Sequence, residues 1–109
     1  CKGGKPIMPF GVMGGQYQAN GHARVLTNML DYGMSPQTAL DAPRSFAELG
    51  HLKVERSYDP EEVQKLVDIG HKVEQDIAPI GGAQAIMMHE NGLLEGASDP
   101  RKDGCALGY

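Results

Sequence analysis

The stretch Pro9-Phe10-Gly11-Val12-Met13-Gly14-Gly15-Gln16 constrains this chain most, because an apolar run that ends in paired glycines must turn there before the helical pattern that follows. Glycine reaches positive φ freely and leaves its amide open to close approach, since no Cβ stands in the way. Two successive N–H groups presented between a strand and a helix make a concavity suited to an oxyanion or a carboxylate. The same residues also suit a tight strand-to-helix turn with no ligand. A donor pair of this kind needs a nucleophile from elsewhere, so the question of function becomes whether the chain carries one.

The order of elements follows from hydrophobic period and turn chemistry. Pro6 to Val12 reads as a strand, with Gly3-Gly4 as the hairpin turn ahead of it and an upstream partner strand implied. Pro6 and Pro9 cannot donate to a ladder, which marks this strand as an edge or bulged one. From Asn20 to Tyr32, Ala23, Leu26, Met29 and Leu30 recur at helical spacing, and Gly33 closes the helix. Ser35 caps a second, shorter helix with Pro36 at its first position, ending at Ala42 before Pro43. Ser45–Leu49 and Leu52–Arg56 are short strands broken at Gly50. Asp59, Pro60 and Glu62 form an N-cap and capping-box pattern ahead of Val63, Leu66 and Val67, with Gly70 at the end. Lys72–Asp76 reads as a further strand. Ala83–His89 and Leu93–Ala97 pair across Asn91-Gly92, whose composition predicts a type I′ turn. A polar turn over 98–104 leads to Cys105–Tyr109, a terminal strand or extended end.

These elements predict an α+β fold of antiparallel sheet with helices on one face, in a single domain over residues 1–109. The implied partner strand also predicts an apolar sheet edge or face that something outside this chain covers. The chain opens in mid-pattern without an initiator methionine, which reads as a piece of a larger polypeptide.

Composition narrows the function classes. A net charge of -4 with Lys and Arg scattered gives no basic footprint, which argues against nucleic acid. No apolar run approaches the ~20 residues of a membrane-spanning helix. Cys1 and Cys105 lack C-x-x-C spacing, and His22, His51, His71 and His89 are spread over separate elements, so neither a metal nor a cofactor is expected. Glu61, Glu62, Asp68 and Glu74 read as solvated faces, and the six methionines as core filling. Asp99 and Arg101, in a proline-containing turn, can pair with each other or pin the terminal strand. The compartment is left open.

The search for a nucleophile fails within the chain. An N-terminal Cys, Ser or Thr can attack with its own α-amino group as base. Cys1, however, heads a Lys-Gly-Gly-Lys turn rather than a strand, and Thr27 and Thr38 both fall within predicted helices. The chain carries an oxyanion-type donor pair without the group that attacks.

Several further pieces match in order and spacing: Gly14-Gly15 after a strand, Asn28-Met29-Leu30-Asp31-Tyr32-Gly33-Met34, and Ala39-Leu40-Asp41-Ala42-Pro43-Arg44. Gly70-His71-Lys72-Val73, Gln84-Ala85-Ile86, and Gly96-Ala97-Ser98-Asp99-Pro100-Arg101 with Gly108-Tyr109 continue them. Together they resemble the C-terminal part of γ-glutamyltranspeptidases and related acylases, members of the N-terminal-nucleophile (Ntn) hydrolases. The resemblance implies a self-cleaving proenzyme with an αββα sandwich, whose exposed threonine forms an acyl-enzyme and passes the acyl group to water or to an amine.

It implies Gly14 and Gly15 as the catalytic oxyanion donors, Met13 as a substrate-binding position, and no metal. The nucleophile and the groups that hold a γ-glutamyl substrate would lie upstream of Cys1, so the chain alone is expected to be inactive. Its partners would be the remainder of the same proenzyme and a small γ-glutamyl or acyl-amide substrate, with no nucleic acid or membrane; a homo-oligomer is left open. Met13 in place of a proline before the glycines, followed by Gln16-Tyr17-Gln18, resembles the acylase-like branch. The alternative is a non-catalytic scaffold or interaction domain of the same ancestry.

Overall fold

The computed structural model describes residues 1–76 and 78–108. In chain order the elements are β1 (Phe10–Met13), a 3-10 turn (Gly15–Tyr17), α1 (Gln18–Leu30), α2 (Pro36–Asp41), β2 (Ser45–Glu48), β3 (His51–Glu55), α3 (Pro60–Asp68), β4 (Val73–Asp76), β5 (Gly82–Met88) and β6 (Leu94–Ser98). They form two compact units, Cys1–Ala42 with Gly81–Tyr109, and Pro43–Ile80.

In the first unit an antiparallel sheet runs in the order β1-β5-β6. Val12 pairs with Ala83 and Ala85 with Ala97, so the period-two alternation puts four buried residues on one face. Three of the four are alanines, which lets the helices approach closely. α1 packs on β1 and α2, while α2 packs on β5 and β6. Val25 of α1 and Leu40 of α2 are essentially inaccessible, each contributing about 1.5–3 kcal/mol by burial.

β1 begins at Phe10 rather than at Pro6, although the chain already runs along β5. Met88 and Ile86 donate to the carbonyls of Ile7 and Pro9 at 2.8 and 3.0 Å. Pro9 has no N–H with which to answer, so the ladder is one-sided there. Before it, Gly3 and Gly4 at φ 56° and 76° close the expected turn, with Lys2 and Lys5 bonded in both directions at 2.9 and 3.1 Å.

α2 is capped as expected, the Ser35 hydroxyl accepting the Thr38 N–H at 3.2 Å. The hairpin joining β5 and β6 forms, but its turn is not type I′. Of residues 90–92, Gly92 alone has positive φ, and its N–H bonds to the His89 carbonyl at 3.0 Å. The Asn91 side chain accepts the Leu93 N–H at 3.0 Å, which holds Asn91 out of the left-handed region. The result is a three-residue loop with a glycine bulge. Residues 105–108 form no strand; the Ala106 methyl lies 2.6 Å from where a Cβ on Gly96 would sit, so the end of the chain runs over the face of the sheet opposite the helices.

The second unit holds the sheet β2-β3-β4. β2 and β3 form an antiparallel hairpin through Leu49 and Gly50, both at positive φ. β4 lies parallel to β3, so this sheet is mixed. α3 is the crossover that parallel pairing requires. Asp59 caps it, accepting the Glu61 N–H at 2.8 Å. The reciprocal arm of the capping box goes elsewhere: Glu62 pairs with Lys65 and raises the pKa of that ammonium above its ordinary value. A buried clasp joins the ends of the unit. The Glu55 carboxylate accepts the N–H groups of Arg44 and Ile80 at 2.9 and 3.0 Å, and Arg44 Nη1 donates to the Ile80 carbonyl at 2.9 Å.

Candidate functional site

The Gly14-Gly15 turn sits where β1 ends and the 3-10 turn begins. Gly14 has φ 139° and ψ 26°, and Gly15 has φ 58°, conformations that side-chain-bearing residues rarely adopt. Both residues are exposed.

The directions of their amides follow from peptide planarity. The Tyr17 N–H donates to the Gly14 carbonyl at 3.1 Å, turning that carbonyl into the 3-10 turn. In a trans peptide the N–H points opposite the C=O, so the Gly15 N–H faces out of the turn. The Met13 carbonyl lies against Gly81, 2.6 Å from where a Cβ on that residue would stand. The Gly14 N–H therefore points away from Gly81. Among the described residues neither amide has a protein acceptor. Chemically, such a pair can receive a developing negative charge without reorganising.

Met13 is 52% exposed and precedes the pair, on the side of β1 opposite buried Val12. The other sequence candidates lie elsewhere. Thr27 is in α1, and Thr38 is in α2, where its hydroxyl is 2.9 Å from that of Ser35. Cys1 is exposed ahead of the Lys2–Lys5 turn. His22 stacks obliquely on Phe10 at 5.4 Å and bonds the Gln18 carbonyl at 2.7 Å, while His89 pairs with Glu95 at 2.9 Å. Among the described residues no group of three His, Cys, Asp or Glu could hold a metal ion. Among the described residues no helix is long and apolar enough to cross a membrane.

The residue that sequence reading missed is Tyr17, 3% exposed behind the turn. A Cβ on Gly14, Gly21 or Gly81 would come within 3.3, 2.7 or 2.7 Å of its ring. Gly21 was the available signal: a glycine inside a helical pattern costs about 1 kcal/mol relative to alanine, so its presence points to a close neighbour.

The whole chain, residues 1–109, matches the family model described as gamma-glutamyltranspeptidase. The glutathione hydrolase-like YwrD proenzyme of Bacillus subtilis is 44% identical over 99% of this chain. The oxamate amidohydrolase proenzyme of Klebsiella pneumoniae is 38% identical over 94% of it. The chain spans about a fifth of the length of these relatives, 22% and 21%. Among solved structures, the cephalosporin acylase of Bacillus halodurans superposes with a TM-score of 0.85 at 41% identity, covering 93% of this chain and 20% of that one. The γ-glutamyltranspeptidase of Pseudomonas nitroreducens superposes with a TM-score of 0.90 over the full chain and 58% of its own, at 24% identity, a likeness of fold. The resemblance carried by the paired glycines and the Ser98-Asp99-Pro100-Arg101 turn thus extends over the full length, and the chain belongs to the γ-glutamyltranspeptidase family of Ntn hydrolases.

Proposed function

We propose that this chain is the C-terminal portion of a γ-glutamyltransferase-like amide hydrolase or acyltransferase, and that Gly14 and Gly15 supply the backbone donors of its oxyanion hole. In this reading an N-terminal threonine, upstream in the same proenzyme, attacks the substrate carbonyl. The electron pair moves to the carbonyl oxygen, and the tetrahedral oxyanion is received by the two glycine amides. Collapse expels the amine, which takes up the proton given up by the threonine hydroxyl, and leaves an ester to the threonine; water or a second amine then releases the acyl group by the same two steps, its own proton returning to the threonine oxygen. Met13, exposed beside the pair, would contact the substrate.

One observation carries the reading: two consecutive exposed amides, held by positive φ, that no protein acceptor satisfies among the described residues. The chain alone lacks the attacking group and is inactive by itself. The substrate class is an acyl amide. Relatives named as a glutathione hydrolase-like proenzyme, an oxamate amidohydrolase and a cephalosporin acylase, 44%, 38% and 41% identical, support a test that spans γ-glutamyl and other acyl groups.

The test is turnover by the mature full-length protein on γ-glutamyl-p-nitroanilide beside a panel that includes oxamate and a cephalosporin-type side-chain amide. Release of amine from at least one of these is expected, and the 109-residue chain should release none. A full-length protein that hydrolyses nothing in the panel would be the non-catalytic scaffold instead.

A further inference from the structure

The Tyr17 ring occupies a cradle made by three glycines from three segments: Gly14 after β1, Gly21 inside α1, and Gly81 ahead of β5. Each is tight. A Cβ on Gly21 would stand 2.7 Å from Cε1 of the ring and 2.5 Å from Cγ1 of Val12. A Cβ on Gly81 would stand 2.7 Å from Cδ1 of the ring and 2.6 Å from the Met13 carbonyl oxygen. A Cβ on Gly14 would lie 3.3 Å from the same Cδ1 and 3.1 Å from Cα of Gly81. The ring therefore sets how closely Gly14 approaches Gly81, and with it the plane of the Met13–Gly14 peptide. The next peptide plane is set by Tyr17 as well, because its N–H holds the Gly14 carbonyl at 3.1 Å. Both amides of the donor pair thus take their direction from one residue.

We propose that Tyr17 is the positioning residue of the Gly14–Gly15 donor pair. Its ring, lodged among the glycines, fixes the Gly14 amide and its backbone N–H fixes the Gly15 amide, so that both face the point where the oxyanion forms. The inference rests on the oxyanion reading of that pair. It does not invoke the phenol hydroxyl. A donor matters most when negative charge is localised on the oxygen, so a misaimed pair weakens transition-state binding more than substrate binding.

The experiment uses the mature full-length protein, with active-site concentration set by the burst of first product. Tyr17→Leu removes the ring's reach while keeping apolar volume, and kcat should fall about 10- to 100-fold with KM within about threefold. Tyr17→Phe keeps the ring and should recover kcat to within about fivefold of wild type. Gly21→Ala pushes on the ring from the helix side and should show the same kcat-specific loss; it decides the matter if Tyr17→Leu does not fold. Wild-type kcat in Tyr17→Leu or in Gly21→Ala overturns the inference, as does a loss in Tyr17→Phe equal to that in Tyr17→Leu. The two levels separate cleanly. If wild type turns over but Gly14→Val keeps full kcat, the oxyanion reading has failed; if Gly14→Val is dead while Tyr17→Leu is unimpaired, only the positioning role has.

Discussion

Asp99 and Arg101 make one buried unit that ties α2 to the sheet. Asp99 is fully buried; one carboxylate oxygen accepts the Ala83 N–H at 2.8 Å, and the other accepts the Arg101 N–H at 2.9 Å and its Nη1 at 3.2 Å. Arg101 continues to the far end of α2, donating to the Leu40 and Ala42 carbonyls at 2.8 and 3.0 Å, acceptors that the helix itself cannot satisfy. Asp99→Ala removes the carboxylate that pairs with the guanidinium, itself 10% exposed. That loss should destabilise by about 3–5 kcal/mol, a large share of a stability of about 5–15 kcal/mol. Asp99→Asn keeps the shape and should cost about 2 kcal/mol. Urea unfolding of the full-length protein checks both, and an unchanged midpoint in Asp99→Ala would refute the tie.

Gly21→Ala sets helix propensity against packing. Alanine in a helix interior gains about 1 kcal/mol over glycine. Here, however, the methyl group meets Val12 at 2.5 Å and Tyr17 at 2.7 Å, and overpacking costs about 1–3 kcal/mol. The net expectation is destabilisation by about 1 kcal/mol or somewhat more, since both neighbours are themselves buried. Gly92→Ala is the comparison, with open space around it and φ 86°, so its cost is the left-handed conformation alone, about 1 kcal/mol. The two differ in kind: only Gly21→Ala should also perturb packing around Tyr17, visible in the near-ultraviolet circular dichroism. A higher melting temperature for Gly21→Ala would show the contact to be soft.

What could be read from the sequence was local. Ser35 and Asp59 announced their helices because a cap is made within three residues, and the Gly14-Gly15 turn declared itself through backbone conformation that few other residues reach. Pairing across distance was less legible. Val73-Glu74-Gln75-Asp76 alternates weakly and says nothing of which neighbour it joins, so its parallel partner β3 had to come from the structure. Asp99 read as a turn residue able to pair with Arg101, which it does, but its full burial was not legible, because Asp99 meets Ala83 and Arg101 meets Leu40 and Ala42, all far away in sequence. Tyr17 read as part of a polar helix entrance because the glycines that enclose it come from three separate segments.

Gly14→Val tests the donor pair directly. The φ of 139° is strained for any side chain, and a Cβ there would press on the Gly81 backbone at 3.1 Å, so the turn must shift. Displacing an oxyanion donor costs about 100- to 1,000-fold in kcat. The full-length variant should lose at least that much, with KM little changed, while its far-ultraviolet circular dichroism stays that of wild type. Equal turnover in folded Gly14→Val would remove these amides from the mechanism.

The face of the β1-β5-β6 sheet opposite the helices should make the isolated chain sticky. Paired residues share a face in an antiparallel ladder, so Ile86 and Leu94, on the register Ile86↔Gly96 and Met88↔Leu94, point to the same side. They are 47% and 63% exposed, and with Leu93 and Leu107 they line an open cavity of about 720 Å³. Apolar side chains gathered on one face of a sheet suit packing against another surface, and β1 and β6 are both edges of their sheet. The proposed cover is the upstream remainder of the same polypeptide. The 109-residue chain alone should therefore bind a hydrophobic dye and scatter light as a species heavier than 11.7 kDa, while the full-length protein should do neither. Ile86→Lys with Leu94→Lys should suppress dye binding in the isolated chain and, in the full-length protein, disrupt assembly. A dye-silent monomer from the unmodified chain, or a full-length protein indifferent to both lysines, would mean that nothing packs on this face.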